Sequence, residues 1–165
     1  MHDASAPVFV RTLTSMLGWL DKAEAHATKK GFEPNNYVDL RLAPDMFAFA
    51  RQIQIATDST KNCVARLAGL EPPSWVDDES TLEELRARIQ TAINFVESIA
   101  PEKINGSEER EVLLPLGPDH SMTFTGQAFL TGFALPNFFF HASMAYALLR
   151  QGGVDIGKMD FLGAP

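Results

Sequence analysis

Apolar residues recur at helical spacing in four segments of the chain, and each segment predicts a long helix. The first begins around Ser5-Ala6-Pro7, where proline suits the first helical turn, and ends at Lys29-Lys30-Gly31. The second runs from Pro44 to about Gly69. Asp45 then falls in its first turn, where a negative side chain is favoured by the helix dipole. These two segments predict the first half of an all-α fold.

The third and fourth segments show clear start and stop signals. Ser80 and Glu83 have the spacing of a capping box, in which each side chain satisfies a free backbone amide of the other residue. The third helix then continues until Pro101. The fourth helix begins at Thr125 or Gly126 and ends at Gly152-Gly153, where glycine suits a left-handed C-cap.

Two features modify this four-helix pattern. Val112-Leu113-Leu114 and Met122-Thr123-Phe124 flank a Gly117-Pro118-Asp119 turn and predict a short hairpin or extended loop before the last helix. Pro136 lies inside the fourth helix and is expected to kink it, because proline removes an intrahelical hydrogen bond. We therefore predict an all-α bundle of four helices, with an up-and-down or crossover connection, in a single domain over residues 1–165.

Composition excludes several classes of function. The chain has 165 residues, of which 45% are hydrophobic, and this is typical of one soluble domain. Fourteen Lys and Arg against 21 Asp and Glu leave no basic stripe, so nucleic acid is not expected as a partner. No unbroken apolar run reaches the ~20 residues that span a bilayer, so no membrane partner is expected. Cys63 is the one cysteine, and we expect a reducing, cytoplasmic location.

The fourth helix carries two polar residues on an otherwise apolar face. Asn137 and His141 are one turn apart and share this face with leucine, alanine and methionine. Because an unpaired buried polar group costs about 1–3 kcal/mol, both need partners inside the bundle. One interpretation is a core hydrogen bond, to Tyr146 or to the second helix. The other is a pocket in which this pair binds a ligand or a metal.

The sequence resembles an uncharacterised domain-of-unknown-function branch of the DinB/YfiT-like superfamily. The matching stretches are ALPNFFFH (134–141), AYALLR (145–150), GVDIGKMDFLG (153–163), LAPDMF (42–47) and QIQIATD (52–58). The resemblance implies a DinB-like four-helix bundle with a crossover connection that is often dimeric. In many members of the superfamily three histidines hold a divalent metal, one from the second helix and two from the fourth.

The resemblance also assigns positions to the metal ligands, and this sequence departs from them. Counting back from Leu149-Arg150 places His141 at the second ligand of the fourth helix and Asn137 at the first. The matching stretch of the second helix offers Gln54 and Asp58. Neutral amides are poor ligands for zinc or nickel, so we expect such a metal to bind much more weakly than to three histidines. The sequence favours the absence of a native metal over its presence.

Other residues offer weaker candidates for chemistry. Arg51 and Arg150 could bind a carboxylate bidentately, although a structural salt bridge is the favoured interpretation of both. Cys63 is interpreted as a small core residue, because no neighbouring histidine lowers its pKa. Phe138-Phe139-Phe140 covers most of the circumference of the fourth helix, which exceeds one core face and favours packing against a second subunit. We therefore expect a homodimer.

Two hypotheses for function follow. The first is a small-molecule-binding protein or divergent metal-dependent enzyme with a pocket around His141 and Asn137, where Gln54, Asp58 and Tyr146 contact the ligand. In that case His141 is a metal ligand or a general base, since an imidazole with a pKa near ~6.5 serves either role. The alternative is a non-catalytic structural or interaction bundle, in which Asn137 and His141 form a buried hydrogen-bond network.

Overall fold

The chain is mostly helical in a computed structural model, which describes residues 1–117 and 120–163, except for the side chain of Leu116. The predicted helical character is confirmed. In chain order the α-helices, the strands and the π-helical turn are α1 (Ala6–Lys30), α2 (Phe49–Leu67), α3 (Leu82–Ser98), α4 (Pro101–Ile104), β1 (Glu111–Gly117), β2 (His120–Thr125), α5 (Gly126–Phe129), the π-helical turn (Leu130–Ala134), α6 (Leu135–Gln151) and α7 (Lys158–Leu162). Two short 3₁₀ helices lie at His2–Ala4 and Pro34–Tyr37.

The second long helix begins later than Pro44, and this part of the prediction is wrong. It begins at Phe49, whose amide donates to the carbonyl of Leu40 at 2.9 Å. The amide of Ala50 donates to the carbonyl of Val38 at 3.0 Å. The connector between α1 and α2 therefore satisfies the free amides at the start of the helix. No additional helical turn is needed to do so.

The capping box of α3 lies one residue later than Ser80 and Glu83, so this assignment is corrected. The amide of Glu84 donates to Oγ1 of Thr81 at 3.2 Å, and Oε2 of Glu84 accepts from the amide of Thr81 at 3.0 Å. The Ser80 amide donates to the same oxygen at 2.8 Å. This bond from Ser80, together with those from Thr81, holds the pKa of Glu84 below its usual range.

The hairpin predicted before the last helix is confirmed. Strands β1 and β2 pair antiparallel, with Val112 opposite Phe124 and Leu114 opposite Met122. The turn was predicted at residues 117–119, of which 118 and 119 lie outside the described residues.

The last long helix is interrupted where Pro136 predicted a kink. The π-helical turn Leu130–Ala134 separates α5 from α6, and Pro136 follows it in the first turn of α6. Proline lacks an amide hydrogen and crowds the carbonyl four residues earlier, and a widened turn relieves both constraints. At the other end Gly153 adopts a positive φ of 89°, as glycine in a left-handed cap does.

Helix α2 contacts two other long helices, so its side chains contribute to any site between them. It packs against α6 on one side and α3 on the other, while α1 packs against α3 and α6. The core between these helices is apolar, and it includes an edge-to-face contact between Phe9 and Phe138 at 5.1 Å. Among residues 1–117 and 120–163, every helix is too short or too polar to span a bilayer.

Candidate functional site

His141 is held in one orientation by α2. It lies on α6 with 7% of its surface exposed, and its Nδ1 is 2.7 Å from Oε1 of Gln52. Nε2 of Gln52 donates to the carbonyl of Phe47 at 3.1 Å, which leaves Oε1 as an acceptor. Nδ1 of His141 must therefore carry the proton, and Nε2 keeps its lone pair.

Burial also keeps this imidazole neutral. Burial lowers the pKa of His141, and the positive charge of Arg51 lowers it further. At neutral pH the ring is therefore unprotonated at Nε2. That nitrogen can accept a proton or a hydrogen bond, which is what a general base or a ligand contact requires.

The lowered pKa of His141 predicts a dependence of stability on pH. In the unfolded chain a histidine titrates near ~6.5, so as the pH falls the unfolded state takes up this proton before the folded state does. The contribution of neutral His141 is present above about pH 6.5 and is lost as the pH falls below it. The variant His141→Gln should lose less unfolding free energy than the wild type between about pH 7 and pH 5.

Urea denaturation at the two pH values measures this difference. Asn137→Ala is the matched control, because it removes a neighbouring polar side chain and no titratable group. It should keep the pH dependence of the wild type. Equal pH dependence in His141→Gln and the wild type would contradict the assignment of a lowered pKa.

Asn137 makes a second polar contact between α6 and α2. Its Nδ2 donates to Oγ of Ser59 at 2.7 Å, and that hydroxyl donates to the carbonyl of Ile55 at 2.7 Å. Asn137 is half-buried, one helical turn before His141. Both polar residues of α6 thus face α2, one of the two partners that the sequence suggested.

Gln54 and Asp58 make their polar contacts away from His141, with the connector between α2 and α3 and with α3 itself. Nε2 of Gln54 donates to Glu79 at 2.9 Å. Asp58 accepts from Arg88 at 3.1 Å and pairs with Lys61 at 2.8 Å. The structure therefore places Gln52 and Ser59, which the sequence reasoning missed, opposite α6. Their seven-residue spacing, about two helical turns, was the signal that both share one face of α2.

Tyr146 helps to hold the C-terminal segment against the helices. Its hydroxyl donates to the carbonyl of Ile156 at 3.4 Å, and its ring packs edge-to-face on Trp19 and Phe161. The structure does not bring Tyr146 together with Asn137 and His141 in one polar cluster. Cys63 is fully buried, and burial raises the pKa of its thiol, which opposes thiolate chemistry there.

A cavity of about 240 Å³ borders Asn137 and Asp58. Helix α2, the end of α5, the π-helical turn, the start of α6 and strand β1 form its walls. The lining residues are Arg51, Ile55, Asp58, Ser59, Asn62, Arg66, Leu114, Pro115, Phe129, Phe133, Ala134 and Asn137. Apart from the adjacent Asp58 and Ser59, the members from α2 follow one another at intervals of three or four residues, so they form one stripe along that helix, polar except for Ile55.

Of the two arginines singled out from the sequence, only Arg51 lines this cavity. Its guanidinium is paired with Asp77 and donates to Oε1 of Gln54 at 3.1 Å. Arg150 is exposed at the end of α6 and donates to the carbonyl of Val154 at 3.3 Å. The pair does not form one carboxylate-binding site.

The residues present do not fit a metal centre of the three-histidine type. Across the described residues, no group of three or more His, Cys, Asp or Glu side chains is placed to hold a metal ion. The Nδ1 of His141 is bonded to an amide oxygen, and Asn137 uses its amide nitrogen as a donor to Ser59. Imidazole, thiolate and carboxylate are the groups that bind zinc and similar metals well; of the candidate ligands His141 supplies an imidazole, and the carboxylate of Asp58 is already paired with Lys61 and Arg88.

Comparisons with known proteins agree on one relationship. The family described as "Domain of unknown function (DUF1993)" matches residues 1–162. The crystal structure of a DinB family member protein from Shewanella denitrificans is 36% identical, with a TM-score of 0.91. The match covers 99% of this chain and 92% of that one. No protein of curated function matches the chain.

Proposed function

Because the chain belongs to the DUF1993 family, a branch of the DinB-like superfamily, we propose that it binds a small molecule between its second and last long helices. The observation that carries this proposal is the cavity of about 240 Å³ beside Asn137. Asn137 and its hydrogen-bond partner Ser59 both line this cavity, and His141 lies one helical turn further along α6. The metal-dependent chemistry of the wider superfamily is not part of the proposal, since the donor set does not fit it.

The lining of the cavity suits a ligand with both apolar and polar parts. Phe129 and Phe133 stack on each other at 6.0 Å and supply an apolar wall. Amide and guanidinium groups of α2 supply hydrogen-bond donors on the opposite side. Small-molecule sites commonly combine an apolar lining with a few converging polar groups. The π-helical turn adds to the case, because such turns often occur at functional sites.

His141 has a defined role within this proposal. It is not among the residues that line the cavity, but it lies one helical turn beyond Asn137, and we propose that a ligand extending past Asn137 meets its unprotonated Nε2. Gln52 is the positioning residue that fixes the tautomer.

A non-catalytic structural role is the second candidate. Asn137 and His141 each have a hydrogen-bond partner on α2, as a network that specifies helix register would require. In that case His141→Ala lowers stability and changes no ligand binding. In the binding proposal the same variant also weakens ligand binding, while stability falls in both cases because Oε1 of Gln52 loses its buried partner.

We also infer the finer architecture and assembly that the family assignment implies. The four long helices α1, α2, α3 and α5–α6 are proposed to form the four-helix bundle with a crossover connection. A homodimer remains our proposal for the assembly. It is supported by Phe140, which keeps 53% of its surface exposed on α6.

Filling the cavity should abolish binding of small aromatic fragments. Asn62 lies on α2 at the cavity wall, and Asn62→Phe would place a ring in that space. We expect a set of neutral and charged fragments of benzene size to shift the amide resonances of cavity residues in the wild type. The shifts should be lost in Asn62→Phe, as measured by ¹⁵N-correlated NMR.

Asn94→Phe is the matched control. Asn94 is exposed on α3, so the same substitution there leaves the cavity open. This variant should bind the fragments as the wild type does. If no fragment shifts cavity resonances in the wild type, or if Asn62→Phe binds them unchanged, the proposed function is wrong.

A further inference from the structure

The charged groups that line the cavity are unequally neutralised. Arg51 is paired with Asp77, and Asp58 is paired with Lys61 and Arg88. These pairs leave Arg66 as the third charged residue of the lining. Its neighbourhood therefore decides which ligand charge the cavity favours.

Within the described residues, Arg66 makes no hydrogen bond and no ion pair through its guanidinium. The side chain is half-buried near the C-terminal end of α2. Burial lowers the pKa of Arg66, and the field of Glu71 opposes this change without forming an ion pair. A guanidinium that is partly removed from water and has five free donors gains most from an anionic partner.

The rest of the lining limits the size and the shape of that partner. A volume of about 240 Å³ limits the partner to a small molecule. Phe129 and Phe133 favour an apolar or aromatic body. Asn62 makes no side-chain hydrogen bond to the part of the chain that the structure describes, so its amide is free for a ligand.

On the basis of the function proposed above, we propose that the ligand is a small organic anion whose carboxylate or similar acidic group binds Arg66. Its apolar body packs on Phe129 and Phe133. The preference is local, because the whole chain carries a formal charge of -7 and does not attract anions in general. Arginine can bind a carboxylate through two parallel hydrogen bonds, which fixes the orientation of the ligand as well as its charge.

Benzoate and benzamide test this proposal directly, because they differ in charge and hardly in shape. Binding of each to the full chain is measured by NMR titration. We expect the wild type to bind benzoate roughly tenfold or more tightly than benzamide, as charge-assisted hydrogen bonds predict. Arg66→Gln should reduce benzoate affinity to the level of benzamide and leave benzamide affinity unchanged. Arg66→Lys, which keeps the charge, should retain part of the preference.

Arg11→Gln is the matched control. Arg11 is exposed on α1 and does not line this cavity, so its removal changes the net charge by the same amount at a distant place. It should leave both affinities unchanged. Equal loss of benzoate affinity in Arg11→Gln and Arg66→Gln would overturn the proposal, because the effect would then come from overall charge.

Different results would contradict the proposal of an anionic ligand and the proposed function of small-molecule binding. If the wild type binds benzoate and benzamide equally, and Asn62→Phe abolishes both, the cavity is a binding site and the inference of an anion is wrong. If neither compound binds the wild type while other fragments do, the anion proposal is again wrong. If no fragment binds at all, both proposals are wrong.

Discussion

Replacing Arg88 with methionine is expected to lower the free energy of unfolding by about 3–5 kcal/mol. Only 3% of the Arg88 side chain is exposed. Its Nε donates to Thr57 at 2.9 Å, Nη1 contacts Glu79 at 2.8 Å, and Nη2 contacts Asp77 at 2.8 Å and Asp58 at 3.1 Å. Methionine fills similar space but leaves three carboxylates without their shared counterion. Urea denaturation followed by circular dichroism measures the loss.

Arg86→Met is the matched control for this variant. Arg86 lies two residues earlier on α3 and pairs with Asp21 and Glu24, but 25% of its side chain is exposed. Exposed ion pairs contribute about 0–1 kcal/mol, so Arg86→Met should cost much less than Arg88→Met. Equal losses in the two variants would show that the burial of Arg88 does not determine how much it contributes to the free energy of unfolding.

Arg88 and the residues that it contacts, which we call the Arg88 cluster, also contact the candidate site. Asp77 contacts both Arg88 and Arg51, and Arg51 lines the cavity. Lys61 in turn lies over the ring of Trp75 at 4.3 Å. The connector between α2 and α3 is thereby held against both helices, and this fixes the charge of Arg51 at the cavity wall. Among the described residues no hydrogen bond or ion pair restrains the Arg66 guanidinium in this way, which is why we propose Arg66 as the group that binds a ligand.

The period of apolar residues was sufficient to predict the long helices, but their exact starts depend on contacts distant in sequence. The start of α2 at Phe49 depends on carbonyls of residues 38 and 40, which no local pattern identifies. The start of α3 was ambiguous, because Ser80 with Glu83 and Thr81 with Glu84 have the same capping spacing. With Thr81 as the cap, Leu82 is the first helical residue and is buried, which favours this choice.

The candidate site could be predicted only in part, because it depends on how α2 is rotated. That Asn137 and His141 need buried partners followed from their place on an apolar face. Gln52 and Gln54 differ by about 200° around the helix, and Ser59 and Asp58 by about 100°, so the rotation of α2 decides which of them are the partners. The cavity itself requires β1 and the π-helical turn, and neither has a periodic signal in the sequence.

Replacing Gly126 with alanine is expected to destabilise the protein by at least about 3 kcal/mol, or to prevent folding. A Cβ at this position would lie 2.0 Å from the carbonyl oxygen of Ser107, which is backbone and cannot rotate away. The amide of Gln127 donates to the carbonyl of Glu108 at 2.9 Å, so the start of α5 is tied to the same segment. Soluble yield and the midpoint of thermal unfolding measure the effect.

Gly132→Ala separates this steric effect from the general cost of replacing glycine in a helix. Gly132 lies in the π-helical turn six residues later, and a Cβ there would meet no atom within 4 Å. Its replacement should change stability by no more than about 1 kcal/mol, in either direction. If the two variants were equally stable, the close approach of α5 to Ser107 would not be required for folding. Because Gly126 joins β2 to the helix that walls the cavity, any Gly126→Ala protein that folds should also bind the fragments more weakly than Gly132→Ala.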